Sequence, residues 1–218
     1  VPTERVPPQA KIIRGTGPGK ANPIETWRIE AGTAVCEVAP SRGGIVTRFS
    51  VDGDEILYMD QATLRDRTQK VRGGIPVLFP IAGALSGDRY EIAGRSFAMR
   101  QHGLARQANW TVHKVGGARL VLEFCSTPAT QASFPFDFAY RLAIDLEHAG
   151  FRSLVLESEF ENLGREPMPL HFGFHPYFLV TDAEKPRTRV SIPARSRLDN
   201  HTGERGEWNG VIDYSASI

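Results

Sequence analysis

Apolar and polar residues alternate with a period of two over most of this chain, in short runs separated by turn residues. The longest run covers residues 136–146, where every second residue is apolar and the residues between include Asp137, Arg141 and Asp145. A second run, residues 154–161, has its apolar positions opposite three glutamates. Strands with one apolar and one charged face are typical of antiparallel sheets that cover a core and meet solvent on the reverse side.

Shorter runs come in pairs that are joined by two-residue turns, Asp52-Gly53, Ala93-Gly94 and Gly116-Gly117. Each pair predicts a β-hairpin. Only residues 60–70 have a helical pattern, with Asp60 as the N-cap. Strands do not alternate with helices along the chain, which argues against a parallel sheet with crossover helices. The pattern therefore predicts an all-β fold, a large antiparallel β-sandwich.

The length of 218 residues suits one large domain. Residues 1–24 are rich in Pro and Gly at their start, and we expect a flexible N-terminal segment there. Residues 25–218 contain no repeat, linker or low-complexity block, so we predict a single β-sandwich domain over that range.

Charge and composition restrict the partners. The formal net charge is +1, so no bulk field draws the protein to nucleic acid or to an anionic membrane. No apolar run approaches the ~20 residues of a membrane span. Cys36 and Cys125 are too few for a disulfide framework, so we interpret them as reduced, buried residues of a cytoplasmic protein. We expect neither a nucleic-acid nor a membrane partner.

Three segments interrupt the alternation, and the first is residues 71–80. Here Arg72 precedes Gly73-Gly74, and two glycines permit close backbone approach or a positive φ. One interpretation is an ordinary loop with a solvated arginine. The other is an arginine fixed by a rigid loop and pointing into a cleft, where its fork of donors holds hydroxyls or an anion.

The second segment contains His102-Gly103, followed by Arg106 and Trp110. His102 is either a loop histidine without a partner or part of a sugar site. In a sugar site an indole covers the apolar face of a pyranose, and polar groups bind its hydroxyls.

The third segment, Leu170–Phe178, holds His171 and His175 in an aromatic run. These imidazoles are core residues, metal ligands or proton carriers, and for His171 we favour a core residue bonded to backbone. Gly173 and Pro176 argue against a helix that would converge both rings on a metal, and no cysteine lies nearby. We therefore predict no metal site.

Three motifs follow one another on the β background: Arg-Gly-Gly-Ile-Pro at 72–76, His-Gly-Leu-Ala-Arg at 102–106 and His-Pro-Tyr-Phe at 175–178. Together they resemble the motifs of the aldose 1-epimerase (galactose mutarotase) superfamily. The first motif is closer to the branch with the hexose-6-phosphate epimerases. The resemblance runs from Val35 to Asp213 and implies a supersandwich of long antiparallel strands with its site on a concave face.

The resemblance also implies roles for four residues. His175 matches the family's general acid, and His102 matches the histidine that binds the sugar near its ring oxygen and anomeric hydroxyl, so we expect both to be catalytic. Arg72 and Arg106 line the same cleft, and in the sugar-phosphate branch such arginines contact phosphate.

The implied function is that of an isomerase that interconverts the α and β anomers of an aldohexose or hexose 6-phosphate by acid/base ring opening. A histidine with an ordinary pKa near ~6.5 can donate and recover a proton near neutrality. No cofactor is needed, and the expected partner is a small-molecule sugar or sugar phosphate. Nothing in the pattern predicts an oligomeric state.

The chain departs from the family at one point. The family's general base is a glutamate near the C-terminus of a chain several strands longer, and neither Glu204 nor Glu207 matches its motif. We therefore expect residues 25–218 to lack the domain's C-terminal strands, because the sequence is part of a longer one or because the protein is a degenerate relative. A degenerate relative would be a non-catalytic carbohydrate-binding protein on the same fold, or a purely structural module.

Overall fold

The structure is a computed structural model that describes residues 10–16, 24–147, 152–191, 193–198 and 203–207, and the backbone of 211–213. Its internal contacts divide the chain into two compact units, Val1–Phe178 and Leu179–Ile218, where we expected one domain over 25–218. The strands described in the second unit are short and pair within it, which gives that unit its own set of contacts.

The described residues form two short helices, α1 Gln61–Arg65 and α2 Pro128–Gln131. The strands are β1 Ala10–Thr16, β2 Glu25–Ala31, β3 Ala34–Ala39, β4 Ile45–Val51, β5 Asp54–Glu55, β6 Val77–Leu78, β7 Arg89–Ile92, β8 Arg95–Ala98, β9 Thr111–Gly116, β10 Arg119–Cys125, β11 Phe138–Asp145, β12 Val155–Asn162, β13 Gly173–Phe174, β14 Arg189–Ser191, β15 Ser196–Leu198, β16 Arg205–Glu207 and β17 Val211–Asp213. The predicted all-β class is confirmed. No helix in this described part of the chain is long and apolar enough to cross a membrane.

The first sheet has five antiparallel strands in the order β1-β2-β3-β4-β5. The predicted turn at Asp52-Gly53 joins β4 to β5, and both residues have a positive φ, as a tight two-residue hairpin turn requires. Strand β1 corrects our expectation for residues 1–24, because Ala10–Thr16 pairs along its whole length with β2. Ala10 and Ile12 pack against the core, which explains why this part of the segment is a strand.

The second sheet has the order β12-β11-β10-β9 and is also antiparallel. The alternating run at 136–146 forms β11, but this strand is buried on both faces, where we expected one face in solvent. Its second face carries the small side chains of Ala139 and Ala143, and the residues paired with them on β12 are the long Glu161 and Glu157. There Arg141 donates to Glu123 of β10 at 2.9 Å and to Glu159 of β12 at 3.0 Å.

The two large sheets share one hydrophobic core, as in a sandwich. Phe79 is fully buried at its centre. Its ring centroid lies 5.0 to 6.5 Å from five other aromatic rings, those of Phe124, Phe134, Phe138, Tyr140 and Phe160. The burial of these aromatic rings, which come from the second sheet and the segment before β11, stabilises the core, because each ring removes a large apolar area from water.

Local predictions have mixed outcomes. The hairpin at Ala93-Gly94 is confirmed. The hairpin predicted at Gly116-Gly117 is also present, but its turn is Gly117-Ala118, because Gly116 still belongs to β9 and pairs with Arg119. The turn between β11 and β12 lies outside the described residues. Helix α1 begins after Asp60, whose carboxylate accepts from the backbone N–H groups of Ala62 and Thr63 as an N-cap, but it ends at Arg65. Burial of Cys36 raises the pKa of its thiol, whereas Cys125 is exposed, so the expectation that both are buried is wrong.

Candidate functional site

The first and third interrupting segments lie side by side. Strand β13 pairs with β6, and beyond it the backbone N–H groups of His175 and Tyr177 donate to the carbonyls of Pro76 and Gly74 at 3.1 and 2.9 Å. Gly74 and Pro76, which interrupt the regular alternation, thus belong to one irregular ladder of backbone hydrogen bonds between the two segments. This ladder carries His175 beside the Arg-Gly-Gly motif.

The second segment joins this ladder through Phe79. Gly103 forms a parallel bridge with Phe79, and the N–H groups of Leu104 and Ala105 both donate to the Phe79 carbonyl, at 2.8 and 3.1 Å. Gly103 has a φ of 71°, and a Cβ at this position would collide with the Phe79 carbonyl. Only glycine allows this approach, which brings His102 to the site.

His102 and His175 therefore meet, with ring centroids 6.1 Å apart and an angle of 65° between the rings. His175 is exposed, and His102 is half-buried. The backbone of His102 has a φ of 70° and donates to the Gly83 carbonyl at 2.8 Å. A non-glycine residue in the left-handed region is uncommon and often marks a functional position.

The environment of His102 keeps its imidazole neutral. Burial lowers its pKa, and the positive charge of Arg106 lowers it further, with smaller contributions from His175 and Lys70. Its Nδ1 atom is buried and has no hydrogen-bond partner among the described residues. A neutral imidazole both donates and accepts one hydrogen bond, which suits a hydroxyl group. No three His, Cys, Asp or Glu side chains of the described ranges come together as metal ligands.

Arg72 and Arg106 differ in their surroundings. Arg106 is half-buried, and burial lowers the pKa of its guanidinium, an effect that the nearby Tyr177 phenol partly offsets. Arg72 is exposed, but its backbone is fixed, because its N–H donates to Thr63 Oγ1 at 3.0 Å and its carbonyl accepts from Asp60 at 2.9 Å. The Arg72 guanidinium has no hydrogen bond or ion pair within the described part of the chain.

Arg42 lies at the same site and was missed by sequence reasoning. It lines a small cavity with Pro76 and Arg106, and its Nη2 donates to the carbonyls of Thr63 and Asp66 at 2.9 and 3.0 Å. The sequence contained a pattern that could have indicated Arg42, because Arg-Gly-Gly-Ile occurs at 42–45 as well as at 72–75. The two copies are adjacent, because Val46, directly after the first copy, forms an antiparallel bridge with Ile75, the last residue of the second copy.

Two expectations about these segments are wrong. Trp110 is buried, its Nε1 donates to the Ala105 carbonyl at 3.1 Å, and its ring packs on Phe124 and Tyr140. It is therefore a core residue and offers no face to a sugar. His171 is exposed, and its backbone N–H donates to Pro80 at 2.8 Å, so it is not a core histidine.

The fold and this cluster of histidines and arginines define the class, an all-β sandwich of the galactose mutarotase-like type. The family model described as aldose 1-epimerase matches residues 25–209, and the chain belongs to this family.

Individual relatives agree with this assignment. The chain is 27% identical over 168 residues to a protein of Cenchrus ciliaris named "Putative glucose-6-phosphate 1-epimerase", covering 72% of this chain and 47% of that protein. It is 38% identical to the solved Slr1438 protein from Synechocystis sp. PCC 6803, with a TM-score of 0.80. That match covers 86% of this chain and 65% of the Slr1438 chain. A galactose mutarotase-like protein from Lactobacillus casei, 20% identical with a TM-score of 0.73 over 87% of this chain and 66% of that one, shares the fold. The chain thus spans about half the length of the first relative and about two thirds of the solved ones.

Proposed function

We propose that this chain carries the sugar-binding and proton-donating part of an aldose 1-epimerase that interconverts α and β anomers. The observation that carries the proposal is the meeting of three separate motif segments at one place, with His102 and His175 at 6.1 Å between ring centroids. A sandwich does not need two imidazoles together for its stability. Their juxtaposition therefore favours a role in proton transfer.

Anomer exchange requires that the pyranose ring open and close. An acid donates a proton to the ring oxygen, a base removes the proton of the anomeric hydroxyl, and the bond between C1 and the ring oxygen breaks to give the open-chain aldehyde. Rotation about C1–C2 and closure on the other face complete the reaction, and both protons return to their donors. General acid–base catalysis of this kind contributes typically ~10²–10⁴-fold to a rate.

In this proposal His175 is the acid, because its imidazole is exposed and lies beside that of His102. His102, held neutral, hydrogen-bonds the sugar near its ring oxygen and anomeric hydroxyl. The base is not assigned to any residue of this chain. Arg106 and Arg72 bind further hydroxyls or a charged group of the sugar.

We further propose a hexose 6-phosphate as the substrate. The positive charges of Arg106 and Lys70 act on His102, Arg42 lines a small cavity with Arg106, and Arg72 belongs to the Gly-Gly segment that pairs with the His175 segment, while the net charge of the whole chain is only +1. This local concentration of cations supports an anionic ligand, since guanidinium groups bind phosphate by charge-assisted, often bidentate hydrogen bonds. The name of the Cenchrus ciliaris relative agrees with this choice.

Exchange spectroscopy by NMR tests the function directly. We expect the full-length protein to accelerate exchange between α and β glucose 6-phosphate above the buffer rate, and His175→Asn to reduce that rate at least ~10²-fold. His171→Asn is the matched control, because His171 lies four residues away on the same segment and is exposed. It should retain the parental rate.

The same measurement distinguishes a carbohydrate-binding protein without activity. If ligand titration shows sugar binding but neither glucose nor glucose 6-phosphate exchanges faster than in buffer, the epimerase proposal is wrong. Binding that survives in His175→Asn would then support the non-catalytic alternative.

A further inference from the structure

Tyr177 lies between two groups of the proposed site. Its ring centroid is 4.9 Å from that of His175, and the two rings are inclined by 34°. Its phenol is close enough to the Arg106 guanidinium to influence the pKa of that group. One side chain therefore contacts the proposed acid and lies beside a proposed binding residue.

The backbone of Tyr177 is fixed on both sides. Its N–H donates to the Gly74 carbonyl at 2.9 Å, and its own carbonyl accepts from the Tyr58 N–H at 2.9 Å. The side chain is half-buried, so its ring is held by surrounding atoms as well as by the ladder. Tyr177 is thus a rigid feature at the edge of the cleft.

His175, in contrast, has few restraints of its own. Its side chain is exposed, and its imidazole has no hydrogen-bond partner within the described ranges. Its recorded side-chain neighbours are the rings of His102 and Tyr177. A general acid must be aligned with the atom that receives its proton, and a small misplacement lowers the rate strongly. The Tyr177 ring is the fixed surface against which this imidazole lies.

We propose that Tyr177 is a positioning residue whose ring orients the His175 imidazole. The inference rests on the proposed function, since it assigns Tyr177 to the same site. It assigns the role to the ring and not to the hydroxyl, because the ring is the part of the side chain that lies against the imidazole.

Two variants test the role of the ring in anomer exchange with glucose 6-phosphate. Tyr177→Phe keeps the ring, so we expect kcat and KM within about threefold of the parent. Tyr177→Leu removes the ring, so kcat should fall at least ~10-fold. A merely structural role would predict equal losses in both variants or none.

The control is Tyr90→Phe, which removes a phenol hydroxyl that donates to the Ser133 carbonyl at 2.8 Å, in the β7–β8 hairpin. It should leave kcat and KM unchanged. If Tyr177→Leu and Tyr177→Phe both have the parental kcat and KM, the inference is wrong. Circular dichroism verifies that each variant is folded, and Tyr177→Met removes the ring if the leucine variant does not fold.

A second readout separates this inference from the proposed function. If the parent protein does not exchange anomers at all, the proposed function fails, and the NMR signals of the His175 imidazole decide about Tyr177. Imidazole signals that shift and average in Tyr177→Leu but persist in Tyr177→Phe support the positioning role. Unchanged signals in the leucine variant would overturn it.

Discussion

His102 combines an unusual backbone with an unusual side-chain environment. Its φ of 70° costs conformational energy in a residue with a Cβ, and its Nδ1 is buried without a partner among the described residues. The structure retains both unfavourable features at the position where the His102 imidazole lies near His175 and Arg106. A ligand hydroxyl that hydrogen-bonds this nitrogen would recover part of the second cost, which supports the assignment of His102 to binding.

The lowered pKa of His102 predicts how stability depends on pH. The unfolded chain has the ordinary pKa near ~6.5, and burial lowers the folded value below it. The unfolded state therefore binds more protons, and stability falls as the pH drops below ~6.5 towards the folded pKa. Urea midpoints at pH 7.5 and 5.5 should differ more in the parent than in His102→Asn, since asparagine also tolerates a positive φ.

His113→Asn is the matched control for this measurement, because His113 is a surface residue of β9. It should retain the parental pH dependence. Equal pH dependence in the parent and in His102→Asn would contradict the role given to burial of this imidazole.

Arg72 offers a test of the phosphate proposal. Arg72→Lys keeps the charge but loses the planar fork of donors, so it should weaken glucose 6-phosphate about tenfold or more. Glucose should be little affected, because its hydroxyls do not require a bidentate cation. Titration calorimetry with both sugars on both proteins measures this difference. Equal losses for both ligands, or no preference for phosphate in the parent, would show that the phosphate assignment is wrong.

Between elements, Arg42 connects the segment after β3 to α1 and the loop that follows. One guanidinium nitrogen of Arg42 donates to the carbonyls of Thr63, Asp66 and Gln69, at 2.9, 3.0 and 3.3 Å. These carbonyls are at and beyond the C-terminal end of a one-turn helix, where backbone acceptors lack helical partners. The same segment leads directly to Lys70 and Arg72, so Arg42 holds the cationic side of the site in place.

Arg42→Met should destabilise the protein by about 1–3 kcal/mol, because the part-buried carbonyls of Thr63 and Asp66 lose a charged donor while the apolar stem is kept. Urea denaturation measures the loss, and hydrogen exchange should show faster opening of residues 61–72. Arg65→Met is the control, since Arg65 is an exposed residue of α1 whose hydrogen bond among the described residues goes to the Gln61 side chain at 3.5 Å. Similar losses for the two variants would show that the carbonyl contacts contribute little.

At the scale of the whole molecule, Phe79 joins the core to the site. Its ring packs against rings of the second sheet, such as those of Phe138 and Phe160. Its carbonyl accepts hydrogen bonds from the N–H groups of Leu104 and Ala105, the two residues after Gly103. Packing in the interior therefore decides where His102 lies. A change in this core should affect stability and site geometry together.

Phe79→Ala should cost about 3–5 kcal/mol of unfolding free energy, the usual loss for a fully buried phenylalanine. Phe79→Leu should cost clearly less, because most of the volume is kept. Phe136→Ala, at a half-buried position, is the comparison for an edge residue. Urea denaturation measures all three, and a Phe79→Ala loss no larger than that of Phe136→Ala would contradict the central position of Phe79.

The sequence by itself predicted many of the strands, several turns and the candidate site residues. Period-two alternation depends only on neighbouring residues, so it located β7 to β11 and the hairpin turns, and the side chain of Asp60 was sufficient to place the start of α1. The motif order identified the family. Each of these features is encoded within a few residues of the position it describes.

Only the tertiary structure decided which surface each side chain meets. Alternation shows that one face of β11 is apolar, but long side chains of β10 and β12, such as Glu123 and Glu159, lie over the other face as well. Likewise Trp110 and His171 could be placed in the core or the cleft only when their distant neighbours were known. Contacts between residues far apart in the chain, such as that between Gly103 and the Phe79 carbonyl, assemble the site, because burial and backbone pairing depend on the packed whole.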